Sequence, residues 1–367
     1  MRIAFRTDAS LDIGSGHVMR CLTLAARLRD AGAEVVFLCR EHPGNLVALL
    51  EGRGFAVGVL PAGGATEDDA GPAHARWLGA HWEDDARQTI AALPWRADWL
   101  VTDHYGIDQR WQGALRSHAG RILVIDDLAD RRHDCDCLLD QNLTELGAAR
   151  YAGLVPAGCT LLVGPHYALL QPQYAVLHAR ARPREGAVRR VLVFFGGVDR
   201  DGLTGRTVRA ILALRHLELR ADIVVGPANP ALQDLREQCA HDGRITVHAA
   251  LPSLAPLMMS ADLAVGAGGA TSWERLCLGL PCLAVTLAEN QVETTRLMAR
   301  QGLVEWLGSA EEITETVIAD ALARWCERGI PAGWLRDFGT IDGRGADRVS
   351  DVLLGTSREH GMGAEDE

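Results

Sequence analysis

Short apolar runs rich in Val, Ile and Leu alternate with stretches of helical period along most of the chain, and the alternation occurs in two successive series. Strands buried on both faces read as continuous apolar runs, and parallel neighbours need a helical crossover, so the pattern restricts the chain to helix-covered parallel sheets. The first series predicts strands at residues 2–6, 34–38, 56–59, 99–102, 122–125 and 161–163, with helices at 17–29, 45–51 and 82–92. The second predicts strands at 191–195, 222–225, 245–247, 263–265 and 283–285. Between them, Arg180, Arg182, Pro183, Arg184 and Gly186 suit a linker. The expected organisation is a domain over 1–178, a linker over 179–189, a second domain over 190–355 and a flexible tail over 356–367. With 367 residues and 48% hydrophobic content, the chain can bury two cores.

The net charge of -11 carries no long basic run, which argues against nucleic acid and anionic membranes as partners. No charged-then-apolar leader and no apolar stretch of about 18 residues is visible, so a cytoplasmic protein is expected. The nine cysteines lack paired spacing and read as reduced thiols. Cys135-Asp136-Cys137 with His133 reads either as part of a metal site or as a strand edge, and the motif alone supplies too few ligands for zinc.

The turn Gly14-Ser15-Gly16-His17 follows a predicted strand and opens a predicted helix. The first amides of a helix lack internal partners and carry the positive end of its dipole, so anions collect there. A neutral imidazole at such a place is suited to take a proton from water; the plainer reading is a chain turn that His17 caps. In the second series, Gly268, Gly269, Thr271 and Ser272 follow a strand where backbone amides and hydroxyls can face a phosphate. Glu274, a turn further on, is suited to accept from ribose hydroxyls or simply to complement a helix start. Gly196 and Gly197 end another strand, as does the turn at 226–230, while Asn290 and Gln291 offer carboxamides for a sugar or a helix cap. In the first series, Asp103, His104 and Tyr105 leave a strand end as cleft candidates. Asp126 and Asp127 read as a loop pair rather than a metal pair, and Arg6 and Asp8 pair with each other or meet substrate. The tryptophans favour packing, and the glycine-rich stretch 61–71 reads as a mobile loop of the kind that covers a site.

These pieces, together with Val18-Met19-Arg20-Cys21, Thr102-Asp103-His104-Tyr105, Asp140-Gln141-Asn142, Gly164-Pro165-His166-Tyr167 and Gly268 to Arg275, resemble the UDP-2,4-diacetamido-2,4,6-trideoxy-β-L-altropyranose hydrolase family of pseudaminic acid biosynthesis. The resemblance implies an α/β GT-B fold, with two Rossmann-like domains whose parallel sheets face a central cleft. It implies a metal-independent hydrolase without cofactor whose substrate is a UDP-sugar, with His17 as general base toward water. Gly196, Gly197, Gly268, Gly269, Thr271, Ser272 and Glu274 would hold UDP. Gly14, Gly16, Asp103, His104, Tyr105, Asn290 and Gln291 would meet the sugar. The alternative is a UDP-sugar glycosyltransferase of the same fold. A dinucleotide dehydrogenase is a lesser rival: the first turn lacks the third glycine of that fingerprint, although Glu34 falls near the required distance.

Overall fold

The computed structural model describes residues 1–64, 71–226, 229–249, 251–334 and 340–356. It divides into two compact units. Unit 1 holds Met1–Gln141, Ala148–Val163 and the chain from Arg344 on, and unit 2 holds Asn142–Gly147 and Gly164–Gly343.

Unit 1 begins with β1 (Arg2–Thr7), α1 (Gly16–Asp30), β2 (Glu34–Arg40), α2 (Val47–Gly52), β3 (Ala56–Leu60) and α3 (Trp82–Ala92). It continues through β4 (Ala97–Asp103), α4 (Gln109–Leu115), β5 (Ala119–Ile125), β6 (Cys137–Asp140) and β7 (Thr160–Val163). All seven strands are parallel, in the order β3-β2-β1-β4-β5-β6-β7. Ile3, Ala4 and Phe5 are fully buried, as β1 must be with sheet neighbours on both sides. The strand order reverses between β1 and β4, and ligands of open parallel sheets bind beyond the carboxyl ends at such a reversal.

Unit 2 contains α5 (Pro172–His178), β8 (Arg190–Phe194), α6 (Leu203–Ala213), β9 (Arg220–Val225), α7 (Leu232–Cys239), β10 (Ile245–Ala249) and α8 (Ala255–Ser260). β11 (Leu263–Ala267), α9 (Thr271–Cys277), β12 (Cys282–Thr286), α10 (Val292–Arg300), β13 (Glu305–Ser309) and α11 (Glu315–Arg328) complete it. Its parallel sheet runs β10-β9-β8-β11-β12-β13, reversing between β8 and β11. The last helix among the described residues, α12 (Gly345–Leu354), belongs to unit 1: Asp347 accepts from Arg27 on α1, and the Leu353 carbonyl accepts from Trp99 Nε1 at 2.9 Å.

The units therefore differ from the expected spans 1–178 and 190–355. Tyr174 of α5 lies in a core of unit 2, and the stretch 179–189 is packed there as well. Arg184 donates to the carbonyls of Met258, Ala261 and Leu278, and Gly186 forms a bridge with Ile330. Residues 65–70 of the expected loop, 227–228 of the third turn and 357–367 of the expected tail lie outside the described residues. Among the described residues, no helix is long and apolar enough to cross a membrane, and no three or more His, Cys, Asp or Glu side chains are grouped to hold a metal ion.

Candidate active site

The carboxyl ends of β1 and β4 carry the polar groups of unit 1. Gly14 adopts a positive φ of 79°, and its N–H donates to Ser10 O at 2.9 Å, closing the turn that delivers the chain to α1. α1 begins at Gly16 with no side-chain cap and no acid of its own in the first turn. His17, 8% exposed, points Nδ1 at Asp103 Oδ1, 2.6 Å away on the last residue of β4. Arg20, one turn along α1, donates Nε to Asp103 Oδ2 at 2.6 Å and Nη2 to Oδ1 at 2.7 Å. Its Nη1 reaches Asp127 Oδ2 at 3.1 Å, and Asp127 in turn accepts from the Tyr105 hydroxyl.

Burial alone would raise the Asp103 carboxyl, but the Arg20 charge and the hydrogen bonds from Arg20 and His17 prevail and hold it well below the ordinary carboxylate range. An ionised Asp103 is an acceptor only, which assigns the Nδ1 proton of neutral His17 to that bond and leaves the Nε2 lone pair open. Nε2 makes no hydrogen bond among the described residues.

Beneath this pair lies a second charged cluster. Arg6 meets Asp8 at 2.7 Å and Asp85 at 2.6 Å, with all three side chains fully buried, and Arg40 also reaches Asp85 at 2.6 Å. Arg6 and Asp8 thus pair with each other. The His104 ring sits in this cluster, accepting from Gly106 N at Nδ1 (2.9 Å), with Nε2 3.4 Å from Asp8 Oδ2. Burial lowers the His104 pKa to about 3 despite Asp8, so the ring is neutral. Asp126 and Asp127 diverge: Asp126 lies inward near Arg131 and Tyr151, and Asp127 faces Arg20. Glu34 stands at the amino end of β2, paired with Arg2, at the wrong end of the strand for a dinucleotide ribose.

In unit 2, Gly196 and Gly197 follow β8, and Gly197 O accepts from Gly226 N at 2.8 Å. Gly268 and Gly269 follow β11. A Cβ on Gly268 would collide with Thr295 Oγ1 of α10, so glycine leaves room there for that side chain. Thr271 opens α9, whereas the Ser272 hydroxyl turns inward to accept from Arg275 Nη2 at 3.0 Å, with the residue 1% exposed. Burial raises the Glu274 pKa to about 7 against the neighbouring Tyr174 hydroxyl and the Arg275 charge. Asn290 and Gln291 sit on the short turn after β12, where Gln291 Oε1 accepts from Leu287 N at 3.0 Å. Its Nε2 would stand 3.4 Å from a Cβ on Gly269.

Each unit therefore gathers its own share of the expected residues at one sheet end. The sequence reading missed the roles of Arg20 and Asp127. Arg20 carried a local signal, since three residues separate it from His17 on one helix face. Asp127 reads in the sequence as one of a loop pair, with nothing to show its reach to Arg20.

No family model matches the chain. It is 24% identical over 303 residues to the UDP-2,4-diacetamido-2,4,6-trideoxy-beta-L-altropyranose hydrolase of Campylobacter jejuni, covering 82% of this chain and 97% of that protein. An uncharacterised Methanocaldococcus jannaschii protein is 23% identical over 301 residues, 80% of this chain. The spore coat polysaccharide biosynthesis protein SpsG of Bacillus subtilis is 26% identical over 210 residues, 56% of this chain. The chain spans 57% of the M. jannaschii protein and 62% of the B. subtilis one. Among solved structures, Acinetobacter baumannii MurG superposes with a TM-score of 0.61 at 15% identity, covering 96% of this chain and 99% of that one. A Polygonum tinctorium UDP-glucosyltransferase gives 0.62 at 15% identity, covering 96% and 98%. The fold is GT-B, and the resemblance of this sequence to the UDP-2,4-diacetamido-2,4,6-trideoxy-β-L-altropyranose hydrolase family is borne out.

Proposed function

We propose that this protein processes UDP-sugars and, more narrowly, hydrolyses UDP-2,4-diacetamido-2,4,6-trideoxy-β-L-altropyranose to UDP and the free sugar. The observation that carries the reading is His17 itself: its Nδ1 is fixed on an ionised Asp103, and its Nε2 is left without a partner among the described residues. The likeness to the Campylobacter hydrolase supports the substrate.

In the proposed reaction, the oxygen of water bonds to the anomeric carbon while the bond from that carbon to the diphosphate oxygen breaks. His17 Nε2 takes the water proton, and Asp103, held by Arg20, stabilises the imidazolium that results. The electron pair of the broken bond leaves with UDP. Gly268, Gly269 and Thr271 meet the departing diphosphate through backbone amides, Glu274 accepts from the ribose, and the turn bearing Asn290 and Gln291 adjoins them. No carboxylate nucleophile is required, because the water attacks directly through an oxocarbenium-like transition state.

UDP release from the sugar nucleotide, followed with and without divalent cation, tests this. Release by the wild-type protein that falls about 100-fold or more in His17→Ala supports the general base. Unimpaired turnover in that variant removes it.

A further inference from the structure

Trp77 departs from the packing role expected of the tryptophans. Trp111, Trp273 and Trp325 are fully buried, whereas Trp77 is half-buried and stacks on Tyr105 with ring centroids 5.7 Å apart and planes at 24°. His74 packs against both, 4.5 Å from Trp77 and 5.4 Å from Tyr105. Tyr105 in turn meets the His17 ring edge-on at 4.5 Å. The shelf is thus one ring removed from the proposed base.

The shelf is anchored on both sides. Trp77 N donates to His74 O at 2.9 Å, and Leu78, 1% exposed, pins the turn into the core of unit 1. A Cβ on Gly106 would lie 3.0 Å from His74 O, so the turn sits hard against the residue that follows Tyr105. Within the shelf, His74 Nδ1 is buried and has no hydrogen-bond partner among the described residues. Burial lowers the His74 pKa, so the ring is a neutral donor or acceptor at neutral pH.

Aromatic faces remove apolar groups from water, and a buried unpaired nitrogen is costly until a ligand supplies its partner. An acetamido group answers both demands, its methyl against the rings and its amide on the nitrogen. Resting on the hydrolase reading above, we propose that His74 and Trp77 form the subsite for the acetamido and methyl substituents on the side of the sugar remote from the anomeric carbon. UDP-hexoses with hydroxyl groups at those carbons leave the nitrogen poorly matched and wet the aromatic faces. The shelf then selects the sugar, and the glycine turns of unit 2 select the nucleotide.

The test compares UDP, UDP-N-acetylglucosamine and the UDP-diacetamido-trideoxy sugar, by calorimetric affinity and by kcat and KM. Trp77→Ala and His74→Ala each raise KM for the diacetamido substrate about tenfold or more, a difference of about 1.4 kcal/mol, and leave UDP affinity unchanged. Their preference for that substrate over UDP-N-acetylglucosamine shrinks by a similar factor, and Trp77→Phe restores most of it. A KM and a preference unchanged in both alanine variants, or a loss shared equally by UDP alone, overturns the shelf while leaving the hydrolase reading intact. Wild-type protein that binds UDP but neither binds nor cleaves the diacetamido sugar nucleotide overturns both.

Discussion

Nδ1 of His17 lies 2.6 Å from Oδ1 of Asp103, and the same carboxylate takes two hydrogen bonds from Arg20. α1 and β4 supply the pair from the two strands' worth of chain that flank the reversal of unit 1's sheet. The imidazole is thereby held in one tautomer by a carboxylate that stays ionised, the arrangement an effective general base needs.

Replacing Asp103 with Asn removes the charge and permits the other tautomer. UDP release is expected to fall by about 100- to 10,000-fold in kcat, with UDP affinity little altered, since the residues proposed to hold UDP all lie in unit 2. Steady-state kinetics beside calorimetry with UDP separate the two effects, and equal losses in both would point to misfolding instead.

The ribose role proposed for Glu274 gives UDP binding a pH dependence of defined sign. The Glu274 pKa in the folded protein is about 7, above the ordinary 4.5, so a carboxylate able to accept both ribose hydroxyls forms only as pH rises through about 7. UDP affinity is expected to rise as pH increases through about 7, and Glu274→Gln to flatten the curve. Stability runs the other way. The folded state holds this proton more tightly than the unfolded chain, so its contribution is full below 4.5 and is lost as pH rises through about 7. A pH series of UDP titrations and of thermal midpoints checks both slopes.

The cluster of Arg6, Asp8, Arg40 and Asp85 is structural. Trp111 Nε1 also donates to Asp85, at 2.8 Å. Asp85→Asn leaves two buried guanidinium groups short of charge and is expected to destabilise unit 1 by about 3–5 kcal/mol. Glu34→Gln, which removes the charge from an exposed carboxylate paired with Arg2 and accepting from Trp95 Nε1, should change stability by less than about 1 kcal/mol. Urea titration of both variants ranks them; similar midpoints would show that the cluster is not what holds β1 and α3 together.

His104 and His133 set a limit on acid stability. Burial lowers their pKa values to about 3 and about 4, against Asp8 and Asp126 respectively, both far below the ordinary 6.5. The unfolded chain therefore binds the extra protons first, and stability is lost as pH falls from about 6.5 toward those values. The double variant His104→Gln, His133→Gln is expected to show a shallower fall in urea midpoint between pH 6.5 and pH 4.5, and an unchanged slope would count against the two imidazoles as its source.

Both parallel sheets were legible because Val, Ile and Leu runs buried on two faces leave a continuous signal, as at β1, β4, β8 and β11. β6 escaped because it is only four residues long and follows Asp134 and Asp136, and β13 because Glu305 and Gly308 break its apolar run. The strands also run on into Thr7 and Asp103, which polarity alone reads as loop. α12 gives no sequence sign of which sheet it covers, since an amphipathic helix fits either. His17 and Asp103 were each named as candidates, but their pairing spans 86 residues and is a property of strand order. Trp77 looked like any packing tryptophan until its ring was seen beside Tyr105.

Hydrolysis of the UDP-diacetamido-trideoxy sugar in water enriched in oxygen-18, with mass analysis of both products, decides whether His17 delivers water to the anomeric carbon. The account predicts one labelled oxygen in the free sugar, unlabelled UDP, and loss of that product in His17→Ala. Label in UDP, or labelled sugar formed equally well without the imidazole, would contradict it.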